Sequence, residues 1–261
     1  MPDESVQLIY IDPPFNTGRK QSRGKSTSVR SETGRVGFKG ARYDIVRDTV
    51  LSYDDDFADY WSFLEPRLEQ AWRLLNKTGT LYLHLDYREA HYAKVLLDAL
   101  FGRECFLNEL IWAYDYGAKA QGRWPAKHDT ILVYVKNPET YYFNNAEVDR
   151  EPYMAPGLVT KEKAEKGKLP TDVWWHTIVS PTGKEKTGYP TQKPVGILRR
   201  IIQASSKKGD LVLDFFGGSG TTGAVAAELG RRFVLVDQNP EALEVMCKRF
   251  ADAGLDVEFR D

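Results

Sequence analysis

Leu211-Val212-Leu213-Asp214-Phe215-Phe216-Gly217-Gly218-Ser219-Gly220-Thr221-Thr222 runs from a short apolar strand through an acid and a glycine cluster into the start of a helix. Glycines let bare backbone come close to a ligand. Between a buried strand and a helix, such a turn marks a nucleotide-type site at the carboxyl ends of a parallel sheet. The flanks repeat the pattern. A helix over 194–205 precedes the strand; a helix over 221–229, a strand over 233–236 and a helix from Asn239 follow it. Asn239 as N-cap, Pro240 at the first helical position and Glu241 in the first turn mark that last start. Alternating strands and helices indicate an α/β fold built on a parallel sheet.

The amino-terminal half follows the same grammar. Val6–Ile11 (VQLIYI) is a β-branched apolar run closed by Asp12-Pro13-Pro14, which reads as a buried strand stopped by proline. Tyr60, Trp61, Leu64, Leu68, Ala71, Trp72 and Leu75 recur at helical spacing. This helix is expected to be bent or delayed by Pro66 and ended by Gly79. A strand over 80–85 and a helix over 88–101 capped by Gly102 come next. Strands over 109–114 and 130–135, with no long helix between them, are expected to pair antiparallel at one sheet edge. The stretch 136–189 has no clear period and reads as an insertion packed on the core, and 257–259 reads as a short last strand.

With 261 residues and 42% hydrophobic content, the chain suits one catalytic domain, 1–261, with insertions. The formal net charge of −1 leaves any contact with nucleic acid to local clusters of Lys and Arg. The stretch 16–54 is such a cluster: polar, basic and expected to be a structureless loop with a function. Cys105 and Cys247 lack CxxC spacing, which argues against a zinc ribbon or a disulfide framework; no metal is expected, and both read as core residues. With no targeting segment or apolar run of bilayer length, a reducing cytoplasmic setting, close to the nucleoid, is expected.

Asp214 stands where a pyrophosphate site rarely places a carboxylate, and Asp237 ends the next strand, where an acid can accept from ribose hydroxyls. An acid at each strand end suits S-adenosylmethionine, a cation with a ribose diol and no phosphate, better than NAD. Asp12-Pro13-Pro14-Phe15 carries the second signal. An exocyclic amine of adenine or cytosine is a poor nucleophile because its lone pair is delocalised into the ring. Two acceptors, the Asp12 carboxylate and the Pro13 carbonyl, favour the pyramidal amine and its growing positive charge. The prolines fix the backbone that aims them, and Phe15 offers a face for a base turned out of the duplex. No Pro-Cys pair of the kind used to attack cytosine carbon 5 is present.

These motifs together resemble the β class of S-adenosylmethionine-dependent DNA amino-methyltransferases, over nearly the whole chain. The catalytic motif, here Ile11 to Phe15 continued by Asn16-Thr17-Gly18, comes first in that family, the target-recognition insertion follows and the cofactor loop comes last. The resemblance implies a Rossmann-like methyltransferase fold: a mixed, mostly parallel seven-stranded sheet with an antiparallel edge hairpin and circularly permuted motif order. It implies catalytic roles for Asp12, Pro13, Pro14 and Phe15. It implies cofactor contacts from Asp214, Phe215, Gly217, Gly218, Ser219, Gly220, Thr221 and Asp237, from Asp12, and from Thr191 and Lys193 in Thr191-Gln192-Lys193-Pro194. His128-Asp129-Thr130 and the strand after it resemble the motif that leans over the flipped base. One departure is the absence of a strand containing Gly-Asp-Asn ahead of the catalytic strand; the expectation is either that the sequence is short at its amino end or that the 257–261 segment supplies the equivalent strand beside Val6–Ile11.

Flipping a base costs a few kcal/mol of unstacking, which phosphate contacts help offset. Arg19, Lys20, Arg23 and Lys25 in the basic loop, and Lys119, Arg123 and Lys127 in a target-recognition insertion over 114–190, are the expected DNA contacts. Trp124, Trp174, Trp175 and Lys184 join that second group. The expected reaction is direct in-line methylation of adenine N6 in double-stranded DNA. Cytosine N4 is the alternative, and an RNA or protein amide methyltransferase or a nicotinamide-dependent oxidoreductase are the remaining readings. A homodimer and a separate restriction endonuclease are plausible partners.

Overall fold

The computed structural model describes residues 1–18, 21–36, 42–53, 55, 57, 59–115, 119–180 and 182–260, with the backbone alone for 21–36 and 42–53. Its main sheet contains β1 (Val6–Ile11), β4 (Leu75–Leu85), β5 (Phe106–Ala113), β6 (His128–Val135), β7 (Val173–Trp175), β8 (Leu211–Asp214) and β9 (Arg232–Leu235), in the spatial order β7-β5-β6-β4-β1-β8-β9. Strand β1 lies near the middle, parallel to β4 on one side and β8 on the other. Its continuous apolar run follows from burial on both faces. Ile9 and Ile11 face one layer, with Leu64 and Leu68 of α1 (Tyr60–Leu74) and Leu97 of α2 (Ala90–Phe101). Leu8 and Tyr10 face the other, with Ile197, Leu198, Ile201 and Ile202 of α4 (Val195–Ser205) and Val225 of α5 (Thr221–Glu228). A third cluster joins Met246 and Phe250 of α6 (Pro240–Asp252) to Phe233 and Leu235. A short α3 (Lys161–Lys166) lies outside these layers.

Strands β1, β4, β8 and β9 run parallel, so their carboxyl ends share one edge of the sheet. Strand β6 is antiparallel to β4, and its amino end, at His128, comes to the same edge. Strand β5 is antiparallel to β6 and parallel to β7, which brings the ends of β5 and β7 there too. Every motif singled out in the sequence around Asp12, Asp129, Asp214 and Asp237 therefore meets at one edge.

Several expectations need correction. Helix α1 begins at Tyr60, with the Asp59 carboxylate accepting the Ser62 amide at 3.0 Å, and runs through Pro66. It is neither delayed by the proline nor ended by Gly79. Strand β4 starts at Leu75, and Gly79 lies inside it, where the register with β1 shifts between Val6 and Leu8. A Cβ at Gly79 would meet the Leu75 side chain at 2.7 Å, so the glycine serves close approach inside an irregular strand. The antiparallel pair of β5 and β6 is present, but β7 covers its outer side, and the Ile111 amide donates to the Asp172 carbonyl at 2.7 Å. The stretch 114–190 is not one insertion, because β6 is an interior strand of the sheet.

The stretch 16–54, read as a structureless loop, contains two antiparallel strands, β2 (Gln21–Val36) and β3 (Arg42–Tyr53), in a sheet of their own. Thr27, Val29, Ile45, Val46 and Thr49 supply β-formers that the polar composition masks. Residues 257–259 form no strand, and both sides of β1 are taken by β4 and β8, so the tail cannot extend the sheet beside β1. Cys105 is buried as expected, whereas Cys247 is exposed on the outer side of α6. Among the described residues, no helix is long and apolar enough to cross a membrane.

Replacing Ile9, which is fully buried, by Ala removes packing from the central strand and should lower unfolding free energy by about 2–5 kcal/mol in urea titration. Phe259→Ala, in the tail and 48% exposed, should stay within about 0.5 kcal/mol of the parent. A large loss at Phe259 would mean that the tail is structural.

Candidate active site

Proline stops β1 at Ile11 and leaves Asp12 at the open edge. Asp12 Oδ2 accepts from Lys193 Nζ at 2.6 Å, while Oδ1 is buried and has no hydrogen-bond partner among the described residues. Such an acceptor costs free energy unless something supplies a donor. The Lys193 ammonium also lies 4.9 Å from the centre of the Phe15 ring. Asn16 fixes the far end of this turn. With φ at 53°, it donates from Nδ2 to Glu89 Oε1 at 2.9 Å and accepts the Phe57 amide at 3.2 Å. The turn is thereby tied to the start of α2.

Beneath Asp12 lies a buried polar group that the sequence reading missed. His84, in the middle of the apolar β4 run, is fully buried. Its Nδ1 is 2.8 Å from the Tyr10 hydroxyl and 4.0 Å from Asp12 Oδ1, and its Nε2 is 3.2 Å from Asp129 Oδ2. The Tyr114 hydroxyl donates to Asp129 Oδ1 at 3.0 Å. Burial pushes the Asp129 carboxyl up, but the bond and charge of His84, then Lys193 and Tyr114, outweigh it and hold the group below its ordinary range. Burial, followed by the charges of Asp12, Asp214 and Asp129, raises the Tyr10 hydroxyl well above its usual value. A histidine inside TLYLHL was the available signal; it is His84, and not the partly exposed His128, that stands against the catalytic turn.

The glycine loop forms the other half. Asp214 accepts the Phe216 amide at 2.9 Å and the Thr222 hydroxyl at 2.6 Å, so it braces the loop from within. Burial is the main reason its carboxyl is pushed up to about 7, against the opposing effect of those two bonds. Gly218 and Gly220 take left-handed φ values of 49° and 71°. A Cβ at Gly220 would also stand 3.0 Å from the Met246 side chain of α6, a tight contact that adds to the backbone's preference for glycine. Asp237 accepts the Gly218 amide at 2.8 Å and the Asn239 amide at 2.8 Å, and burial raises its carboxyl. Arg249, which the sequence did not single out, donates to the Ser219 carbonyl at 3.0 Å and the Thr221 hydroxyl at 2.9 Å.

One cavity of about 1040 Å³ joins the two halves. Asp12, Pro13, Pro14, Phe15, Thr191 and Lys193 line it together with Asp214, Phe215, Gly217, Gly218, Ser219, Thr221 and Asp237, while Gly220 sits behind the wall at the head of α5. Tyr189 lines it as well, against Gly218, and was not expected there. The donor set fits a cation with a diol. Four carboxylates, Asp12, Asp55, Asp214 and Asp237, border the space, and the Gly218 amide that a pyrophosphate would need is already bonded to Asp237.

The expected DNA contacts divide. Arg19 and Lys20 lie outside the described residues, and Arg23 and Lys25 are on β2, where only the backbone is described. Lys119 and Arg123 are exposed between β5 and β6, with Trp124 96% exposed beside them; Lys127 donates to the Asp115 carbonyl at 3.1 Å. Trp175 and Lys184 are exposed, but Trp174 is a core residue with Arg200 over its ring and does not belong to a reading surface.

Comparison with known proteins gives the same picture. A family model for DNA methylases of the N6/N4 type matches residues 6–248. The chain is 30% identical over 257 residues to the Type II methyltransferase M.HpaI of Haemophilus parainfluenzae, covering 98% of this chain and 70% of that protein. It is also 30% identical over 257 residues to the DNA adenine methyltransferase YhdJ of Escherichia coli, covering 95% of this chain and 77% of that protein. Among solved structures, the M1.HpyAVI–S-adenosylmethionine complex aligns over 94% of this chain and 88% of its own, with a TM-score of 0.59 at 22% identity, which supports the fold. With its catalytic turn and glycine loop facing one cavity, the chain belongs to the N6/N4 family of DNA methylases.

Proposed function

We propose that this DNA methyltransferase acts on the N6 amine of adenine in duplex DNA, with the base turned out of the helix. S-adenosylmethionine is its cofactor, and it supplies an electrophilic methyl group. The observation that carries the reading is Asp12 Oδ1, buried and without a hydrogen-bond partner among the described residues, on a residue that lines the cavity together with Phe15. An amine N–H satisfies that oxygen. The Pro13 carbonyl takes the second N–H, and Phe15 carries the ring of the base. Accepting a hydrogen bond from each N–H would localise the nitrogen lone pair and favour positive charge on the amine as the N–C bond forms; the methyl–sulfur bond would break to leave a neutral thioether, and the amine would then release one proton to solvent.

The cofactor's residues are the loop over 214–221, Thr191, Tyr189 and Asp237. Each Asp237 oxygen accepts one backbone amide and retains a further lone pair for a ribose hydroxyl. Lys119, Arg123 and Lys127, with the basic strands β2 and β3, are the proposed phosphate contacts, and the exposed Trp124 and Trp175 the proposed base-side contacts. Adenine is favoured over cytosine because the motif carries the carboxylate of Asp12 where a serine goes more often with cytosine, and because the relative YhdJ is named an adenine methyltransferase. The Type II relatives suggest a separate restriction endonuclease that cuts the same site, and a homodimer and a place on the nucleoid remain part of the proposal.

Mass analysis of nucleosides from unmodified genomic DNA, after incubation with enzyme and S-adenosylmethionine, should return N6-methyladenine. N4-methylcytosine alone would assign the other amine. Cofactor affinity should also depend on pH. Asp214 is ionised above about 7 and neutral below it, so attraction for a cationic cofactor should strengthen as pH rises through that value. Equilibrium dialysis between pH 6 and 8 should show this slope in the parent and lose it in Asp214→Asn; equal slopes in both proteins would remove Asp214 from the account.

A further inference from the structure

The segment leading into α4 touches both halves of the cavity. Gln192 accepts the Thr187 amide at 2.8 Å and donates to the Glu185 carbonyl at 2.7 Å, while the Glu185 carboxylate accepts the Val195 amide at 3.1 Å. These bonds brace the chain around Thr191, whose φ of 57° is uncommon for a residue with a side chain. Tyr189 packs against the cofactor loop, since a Cβ at Gly218 would meet its ring at 3.2 Å. From the end of the same segment Lys193, 8% exposed, reaches Asp12 Oδ2 and the Phe15 ring.

Two consequences follow from that placement. Lys193 Nζ lies 2.6 Å from Asp12 Oδ2, and on the other side His84 Nδ1 lies 4.0 Å from Oδ1. A charge-assisted bond of this kind fixes the plane of the carboxylate and leaves Oδ1 as the open acceptor. The same ammonium stands over Phe15, so one cation ties the acceptor to the stacking face at a set spacing.

We infer that Lys193 is a positioning residue for methyl transfer: its bond to Oδ2 fixes the Asp12 carboxylate with Oδ1 turned to the target amine, and its ammonium links that carboxylate to Phe15. The resemblance to the family instead implies a cofactor contact for this lysine. The inference rests on amine methylation at Asp12 and adds no covalent step.

Single-turnover methylation of unmethylated genomic DNA at saturating S-adenosylmethionine, alongside equilibrium dialysis of the cofactor, separates the two roles. In Lys193→Met the rate should fall on the order of 100-fold, with the cofactor Kd within about threefold of the parent. Lys193→Arg, which retains the ion pair and the ring contact, should recover the rate to within about tenfold. A Met variant that binds the cofactor weakly yet reaches the parent rate at saturation would overturn the inference and make Lys193 a cofactor contact. Equal losses in the Met and Arg variants would overturn it as well, because charge would then not matter. If the Met variant fails to fold, Lys193→Gln replaces it, and a parent-like rate there is equally contrary. A parent enzyme that methylates neither adenine nor cytosine would count against the proposed function and not against this role.

Discussion

The active site depends on one carboxylate whose two oxygens are treated differently. Asp12 Oδ2 is held by the Lys193 ammonium, and Oδ1 is buried without a donor among the described residues. A buried acceptor left open is destabilising to the free protein. It is also what an amine with two N–H groups satisfies, at the point where that amine acquires positive charge. The folded chain therefore maintains, as a standing local cost, an environment complementary to the reacting form of its target.

That arrangement exists because the sheet gathers distant segments. Asp12 and Lys193 are 181 residues apart, and they meet because α4 packs on one face of β1 while the chain before it returns to the open edge. Asp214 and Asp237 end neighbouring parallel strands, and the Gly218 amide joins them by bonding to the second acid. His84 and Asp129 arrive on β4 and β6, which run antiparallel, so a carboxyl end and an amino end stand side by side. Helix ends contribute as well: Asn16 bonds Glu89 at the start of α2, and Gly220 caps α5.

What was legible in the sequence was local. Val6–Ile11 ends in two prolines, Leu211–Asp214 runs into glycines, and Asn239-Pro240-Glu241 caps a helix; each boundary is written in a few adjacent residues, and the structure reproduces them closely. The catalytic and cofactor motifs were legible for the same reason. The partner of Asp12 was not, because a lysine after a polar turn looks like a surface lysine until the fold buries it. His84 carried a signal, a lone polar group in an apolar strand, but its partners Tyr10 and Asp129 lie on other strands. Gly79 misled because a glycine after a helical pattern usually stops a helix, whereas here it relieves a contact with Leu75 within a strand. The hairpin of β2 and β3 was hidden by composition, since a basic, serine-rich stretch reads as a loop whatever its β-formers.

The measurement closest to the central claim is the rate of a single methyl transfer in Asp12→Ala at saturating S-adenosylmethionine. Removing both carboxylate oxygens takes away the acceptor that orients the amine, and the rate should fall on the order of 100- to 1000-fold. A variant that transfers the methyl group at close to the parent rate would contradict the account, because the open oxygen of Asp12 would then have no part in the reaction.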